Sequence, residues 1–243
     1  MRSWLAAISV LSILPIEKFQ PDETDLKRGL NLFPLAGLLF GILLYAAAFA
    51  AAALFAPLPA AMVLALLPEA LTKGFHLDGA ADTADGFLSG RSRERKLEIM
   101  RDSRIGSMGV AAIVGVLGMK FALLATLPAA MLPPAMLLAA IGGRTGILFH
   151  IATSSYARPE GLAKLWFETS PRAGLLLGTL LSAAAGRLFL GNAGAALPLL
   201  IAATALLWSA LTRRVIGGAT GDTIGCFEEL SELLTLAGVA ALC

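Results

Sequence analysis

Between Arg28 and Glu69 the chain runs for about 40 residues without one Asp, Glu, Lys or Arg, enough for two bilayer crossings at ~20 residues each. Pro57-Leu58-Pro59 divides that run into a helical hairpin. Further apolar stretches at about residues 106–127, 131–151, 173–190 and 193–211 bring the expected spans to six. With 57% hydrophobic and 15% charged residues, an ordinary soluble domain is excluded. Residues 4–16 and 233–243 are apolar but only about a dozen residues long, so they read as short, re-entrant or interfacial helices. The Met1-Arg2 start resembles a signal sequence, but no small-x-small cleavage site follows before Pro15, and the segment is expected to be retained.

Charges are partitioned between two kinds of connection. Residues 17–28, 73–104, 158–172 and 213–232 are charged, whereas the alternating connections at 57–59, 128–134 and 191–194 are short and uncharged. Six spans place every charged connection on one face, and the Lys and Arg excess makes that face cytosolic. The expectation is therefore an all-α, polytopic integral membrane bundle of about six spans with short terminal apolar helices. It forms one domain over residues 1–243, with the main active-site loop at about 73–105. The spans look like three helical hairpins without a convincing sequence repeat. Cys226 and Cys243 give neither a disulfide framework nor metal spacing.

The charged segment that matters most reads His76-Leu77-Asp78-Gly79-Ala80-Ala81-Asp82-Thr83-Ala84-Asp85-Gly86. On a helix, Asp78, Asp82 and Asp85 fall within roughly 60° of one another. Three acids that close repel, and a hard divalent cation such as Mg²⁺, bound through oxygen, is the natural partner; a solvated polar loop is the bland alternative. Asp82 and Asp85 are the foremost catalytic candidates, and His76 is a candidate base for a substrate hydroxyl, or a hydrogen-bonded bystander. His150, at a helix end, is a weaker one.

Downstream lie Arg91, Arg93, Arg95, Lys96, Arg101 and Arg104, with Lys73 just upstream. Glu94, Glu98 and Asp102 form one helical row and Arg91 and Arg95 another, as on a solvated, ion-paired surface helix. Beside clustered aspartates, however, arginines are what transfer of a phosphoryl group needs: cations to hold a diphosphate in line and metal to neutralise its oxygens. Arg213 to Gly225 is glycine-rich but is not a Walker A loop; on the same face, its Asp222 would complete a metal site, or its backbone N–H groups would cradle phosphate. Glu228, Glu229 and Glu232 follow as expected interfacial polar residues. The segment Tyr156-Ala157-Arg158-Pro159-Glu160-Gly161-Leu162 adds a cation and an aromatic surface suited to a substrate carrying a base or nucleotide.

Three charges interrupt apolar spans. Lys120 and Arg187 lie towards the short-turn face, where long side chains snorkel to the interface. Arg144, in Gly142-Gly143-Arg144-Thr145, has small neighbours that leave room for an anionic group, with pairing to an acid as the alternative.

The 76–86 segment, together with residues 95–106 (Arg95 to Gly106), resembles the signature of the cobalamin synthase family. The 157–162 and 217–222 segments are similar to that family's later blocks, and Leu32-Phe33-Pro34-Leu35-Ala36-Gly37 fits its first span. The resemblance covers essentially the whole chain. It implies a Mg²⁺-dependent, multi-pass enzyme of the bacterial inner membrane, its active site facing the cytosol. Such an enzyme joins adenosylcobinamide-GDP to α-ribazole or α-ribazole 5′-phosphate and releases GMP. By position, Asp78, Asp82 and Asp85 become the expected metal core with Asp222 beside them. Lys73, Arg91, Arg95, Arg101, Arg104, Arg144 and Arg158 become the expected substrate-phosphate ligands, with Asp102 holding an arginine in place. No nucleic acid is expected as a partner, and a homo-oligomer is left open. The rival enzyme, a CDP-alcohol phosphotransferase, requires Asp-Gly-x-x-Ala-Arg, whereas Phe87-Leu88-Ser89-Gly90 follows Asp85-Gly86 here. A secondary transporter would carry its ionisable groups along a path at the bilayer midplane.

Overall fold

The structure, a computed structural model, describes residues 1–13 and 20–243. The end of the N-terminal apolar stretch and the start of the 17–28 connection lie outside the described residues. Twelve α-helices appear among those described: α1 (Arg2–Leu11), α2 (Glu23–Leu30), α3 (Phe33–Leu54), α4 (Pro57–Thr72), α5 (Phe75–Leu88), α6 (Arg93–Ile99), α7 (Ser107–Thr126), α8 (Leu132–Thr153), α9 (Lys164–Phe167), α10 (Arg172–Gly194), α11 (Leu197–Ile216) and α12 (Gly221–Leu242). The all-α membrane bundle expected from the sequence is therefore what the chain forms. Five helices are long and apolar enough to span a membrane, and α4 with α5, bent by 92°, is either a sixth, broken span or a re-entrant pair.

Proline and glycine chemistry sets these boundaries. Prolines stand in the first turns of α3, α4, α8 and α11, where the missing N–H costs no hydrogen bond. The break after α4 falls at Lys73 and Gly74, both left-handed (φ 57° and 66°). Gly74 adopts that conformation freely; Lys73 does so against the usual preference of a residue with a Cβ. As a result the aspartate segment is not a loop but a helix, turned across the end of α4 into the bundle.

The centre of the bundle is α8, whose apolar window is 83% buried against 17–39% for the other four long spans. Lipid supplies no hydrophobic drive between helices, so close backbone approach and polar pairing must hold the bundle. Gly37 and Gly41, one turn apart on α3, both face the α8 backbone; a Cβ at Gly37 would stand 2.8 Å from the Ala140 carbonyl. On α10, Gly174, Gly178, Ser182 and Gly186 make a buried stripe of small residues at every fourth position.

The other central helix, α12, corrects an expectation. The C-terminal apolar segment is not a separate short helix but the far end of a 22-residue helix that starts with a Thr220–Thr223 capping box. Its acids are not interfacial: Glu228, Glu229 and Glu232 are 1%, 1% and 3% exposed. Nor does Lys120 snorkel. It is buried, and its Nζ lies 2.7 Å from Glu69 Oε1, 2.7 Å from Glu229 Oε2 and 2.8 Å from Glu232 Oε2. Arg144 takes the pairing alternative: its Nη1 sits 2.6 Å from both Glu228 Oε1 and Glu232 Oε1. A charge inside an apolar bundle is tolerable when an opposite charge is in contact, and these groups neutralise one another. Arg187 behaves as expected, exposed at the short-turn end and bonded to Asn192.

The charged connections gather at one end. Lys27 pairs with Glu168 at 2.9 Å, Arg158 pairs with Asp222 at 2.8 Å, Arg93 lies over Gly217, and Tyr156 forms an isolated bridge with Ala219. That partition was legible in the sequence, and it puts the catalytic candidates on a common surface.

Candidate active site

Helices α5 and α12 meet through reciprocal glycines. A Cβ at Gly79 would stand 2.8 Å from the Asp222 carbonyl, and one at Gly225 would stand 3.2 Å from the His76 backbone. This approach carries Asp222 to the aspartate helix: Asp78 and Asp222 line one cavity, and Asp78 and Asp82 line another. The Asp222 Oδ2 accepts from Arg158 Nη2 at 2.8 Å and from Thr220 Oγ1 at 3.2 Å.

Asp85 stands apart from the rest of the predicted trio. Its carboxylate accepts from the backbone N–H of Gly106 at 2.7 Å and of Gly109 at 2.9 Å, so it caps the first turn of α7. A carboxylate there satisfies amides that have no partner inside the helix and meets the positive end of its dipole. Glycine at 109 permits the contact, since a Cβ there would collide with the Asp85 carboxylate.

Three cavities converge on Asp78. One, about 330 Å³, is polar and lined by Asp82, Arg101, Ser103 and Arg104. The second, about 470 Å³, opens beside Lys73, Thr72 and Ser12. The third, about 220 Å³, is walled mainly by hydrocarbon, with His76, Tyr156, Arg158 and Asp222 as its polar members beside Asp78. Asp78 is thus the shared wall of a basic cleft and an apolar one.

Of the predicted phosphate ligands, Arg101 and Arg104 line the basic cavity, Lys73 the open one and Arg158 the apolar one. Asp102 holds Arg104 with a two-point bridge, Nη2 to Oδ2 at 2.6 Å and Nε to Oδ1 at 3.0 Å. The Arg104 hydrogen bonds keep the Asp102 carboxyl ionised, at about 2. Three arginines are placed otherwise. Arg91 is exposed outside these cavities, Arg95 pairs with Glu98 at 2.6 Å on the solvated face of α6, and Arg144 is locked in the buried network described above. The surface-helix alternative describes α6 well.

His76 is buried, with Nδ1 3.1 Å from Glu228 Oε2, so it joins the aspartate end to the buried network. His150 is a core residue, bonded to Ser209 through Nδ1 at 2.9 Å. Sequence reasoning missed the apolar wall of Phe33, Ile147, Leu162 and Trp166, which comes from three separate segments, α3, α8 and the connection at 158–172. Only the aromatic at Tyr156 hinted at it. Burial raises the Tyr156 phenol above its ordinary pKa, leaving the hydroxyl as a donor at neutral pH.

Asp78, Asp82 and Asp222 offer carboxylate oxygens, the donors a hard cation takes. The group of three His, Cys, Asp or Glu side chains whose ligand atoms lie within 4.8 Å of one another among the described residues is a different one, His76, Glu228 and Glu229.

The sequence profile described as cobalamin-5-phosphate synthase matches residues 3–240. Among curated proteins, one from Roseiflexus sp. is 42% identical over 95% of this chain and 86% of its own length. One from Pseudomonas putida is 40% identical over 98% of this chain and 97% of its own, and one from Acetivibrio thermocellus is 37% identical over 96% and 94%. All three carry the name adenosylcobinamide-GDP ribazoletransferase. No solved structure matches the chain.

Proposed function

The chain belongs to the cobalamin-5-phosphate synthase family, and from that premise we propose that it joins adenosylcobinamide-GDP to α-ribazole, or to α-ribazole 5′-phosphate, in a Mg²⁺-dependent transfer that releases GMP. The observation that carries the reading is Asp78, the common wall of a basic cavity and an apolar one. In the reaction a ribose oxygen forms a bond to the phosphorus carried by the cobinamide arm. The bond from that phosphorus to the oxygen bridging to GMP breaks, and GMP leaves with that oxygen. The acceptor hydroxyl gives up its proton.

Each residue then has a task set by its position. Arg101 and Arg104 hold the diphosphate, with Asp102 fixing the Arg104 fork. Asp78, Asp82 and Asp222 would hold Mg²⁺, which neutralises charge on the phosphate oxygens during transfer. Arg158 holds the Asp222 carboxylate in place at 2.8 Å. His76, oriented by Glu228 through one ring nitrogen, is the candidate acceptor of the hydroxyl proton through the other. Asp85 acts at one remove, by fixing the start of α7 against α5. The charged end faces the cytosol of the bacterial inner membrane by the Lys and Arg bias of its connections, which is where nucleotide substrates reside.

The transporter reading asks for ionisable groups free to bind at bilayer depth. Lys120, Arg144 and their acids instead bind one another.

Protein purified into liposomes is expected to release GMP only when both substrates are present. Neutralising the arginine in Arg104→Ala is expected to raise the KM for adenosylcobinamide-GDP by about tenfold, with a smaller effect on the KM for α-ribazole. GMP release independent of α-ribazole would refute the transfer.

A further inference from the structure

We propose that the apolar cavity binds the benzimidazole base of the acceptor, with Arg158 receiving an oxygen of its ribose; this rests on the transfer proposed above and assigns the acceptor its place within it. The cavity, about 220 Å³, is walled by Phe33, Ile147, Leu162 and Trp166, with Asp78 and Arg158 at its polar end. Phe33 and Trp166 meet edge to face at 5.4 Å, which fixes both rings as a rigid aromatic wall.

Four ring systems of the two substrates compete for this space, the corrin, its adenine, the guanine and the base of the acceptor, and size and polarity separate them. The corrin macrocycle is far larger than the cavity. The polar groups of the cavity are His76, Asp78, Tyr156, Arg158 and Asp222; adenine or guanine would still press donors and acceptors of its edges against Phe33, Ile147 and Leu162, which offer no partners, and burying such groups unpaired is unfavourable. A dimethylated benzimidazole is a flat, fused two-ring system with a hydrocarbon edge, and it suits this wall.

A second, independent feature lies at the polar end. Arg158 is committed to Asp222 through Nη2, but its Nε is buried and has no hydrogen-bond partner. A buried donor of that kind is satisfied when an acceptor arrives with the ligand. An oxygen attached to the ribose would do so, beside Asp78. The basic cavity, which also reaches Asp78, keeps the donor diphosphate near Arg101 and Arg104. The two substrates are therefore brought together at one residue, as a displacement between them needs.

Trp166 makes the proposal measurable without turnover. With α-ribazole alone as the probe, tryptophan fluorescence of the protein in liposomes is expected to be quenched saturably, and Trp166→Phe is expected to remove most of that quench. Ala163 also lines the cavity, and in steady state Ala163→Leu, which narrows it, is expected to raise the KM for α-ribazole by about tenfold while that for adenosylcobinamide-GDP moves less than about twofold. A quench unaffected by Trp166→Phe, or a KM change that falls on the corrinoid substrate, overturns the assignment even while wild-type protein releases GMP. Failure of the wild-type protein to release GMP with both substrates overturns the transfer itself.

Discussion

Asp82→Ala is expected to lower GMP release by about 10³-fold or more, because a lost carboxylate removes charge stabilisation that the reaction depends on at its transition state. Membrane insertion and thermal stability are expected to stay near wild type. Asp82 is only partly buried, and the contact between α5 and α12 is made by Gly79 and Gly225 instead. Asp85→Ala should behave in the opposite way. It strips two hydrogen bonds from the first turn of α7, so the larger change is expected in stability, by about 1–2 kcal/mol, the usual scale of a lost cap. GMP assays and detergent melting curves on the two variants separate the roles. Equal loss of activity with equal loss of stability in both would contradict them.

Lys120→Met is expected to be the most damaging substitution for the fold. It leaves Glu69, Glu229 and Glu232 without the ammonium that each contacts within 2.8 Å, in a region where water does not compensate. Removing one partner of a buried ionic cluster costs about 3–5 kcal/mol, since the remaining charges stay desolvated and mutually repulsive. A melting curve read by size-exclusion fluorescence in detergent should show a large downward shift or loss of the folded peak. Restoring the balance with Lys120→Met and Glu229→Gln together should recover part of it. A single variant as stable as wild type would mean that the cluster contributes nothing to holding α4, α7 and α12 together.

The spans were legible because lipid solvation demands long uncharged helices, and α3, α7, α8, α10 and α11 follow the apolar runs closely. What periodicity could not supply was the turn at Lys73 and Gly74, where two left-handed residues redirect α5. The aspartate spacing was read correctly as one face of a helix, yet spacing cannot say which of three acids on a face meets another helix's amides. Asp85 does, because α7 begins opposite it. The same limit applies to the arginines: Arg91, Arg95, Arg101 and Arg104 were all expected at the phosphates, and the row pattern could not say that only Arg101 and Arg104, in the irregular segment after α6, line the cavity. A signal for the buried network was present. Glu69, Glu228, Glu229 and Glu232 in apolar surroundings require cations, and Lys120 and Arg144 are cations embedded in spans.

The central claim is that the cation belongs to the aspartates of α5 and α12 and not to the tighter buried group of His76, Glu228 and Glu229. Manganese replaces magnesium at oxygen-rich sites and reports its own binding by electron paramagnetic resonance. Titrating Mn²⁺ into the protein in liposomes is the direct measurement. Binding that disappears in an Asp78→Asn and Asp82→Asn double variant, and persists in Glu229→Gln, is the predicted result. Binding that survives the aspartate substitutions but is lost with Glu229 would contradict the account.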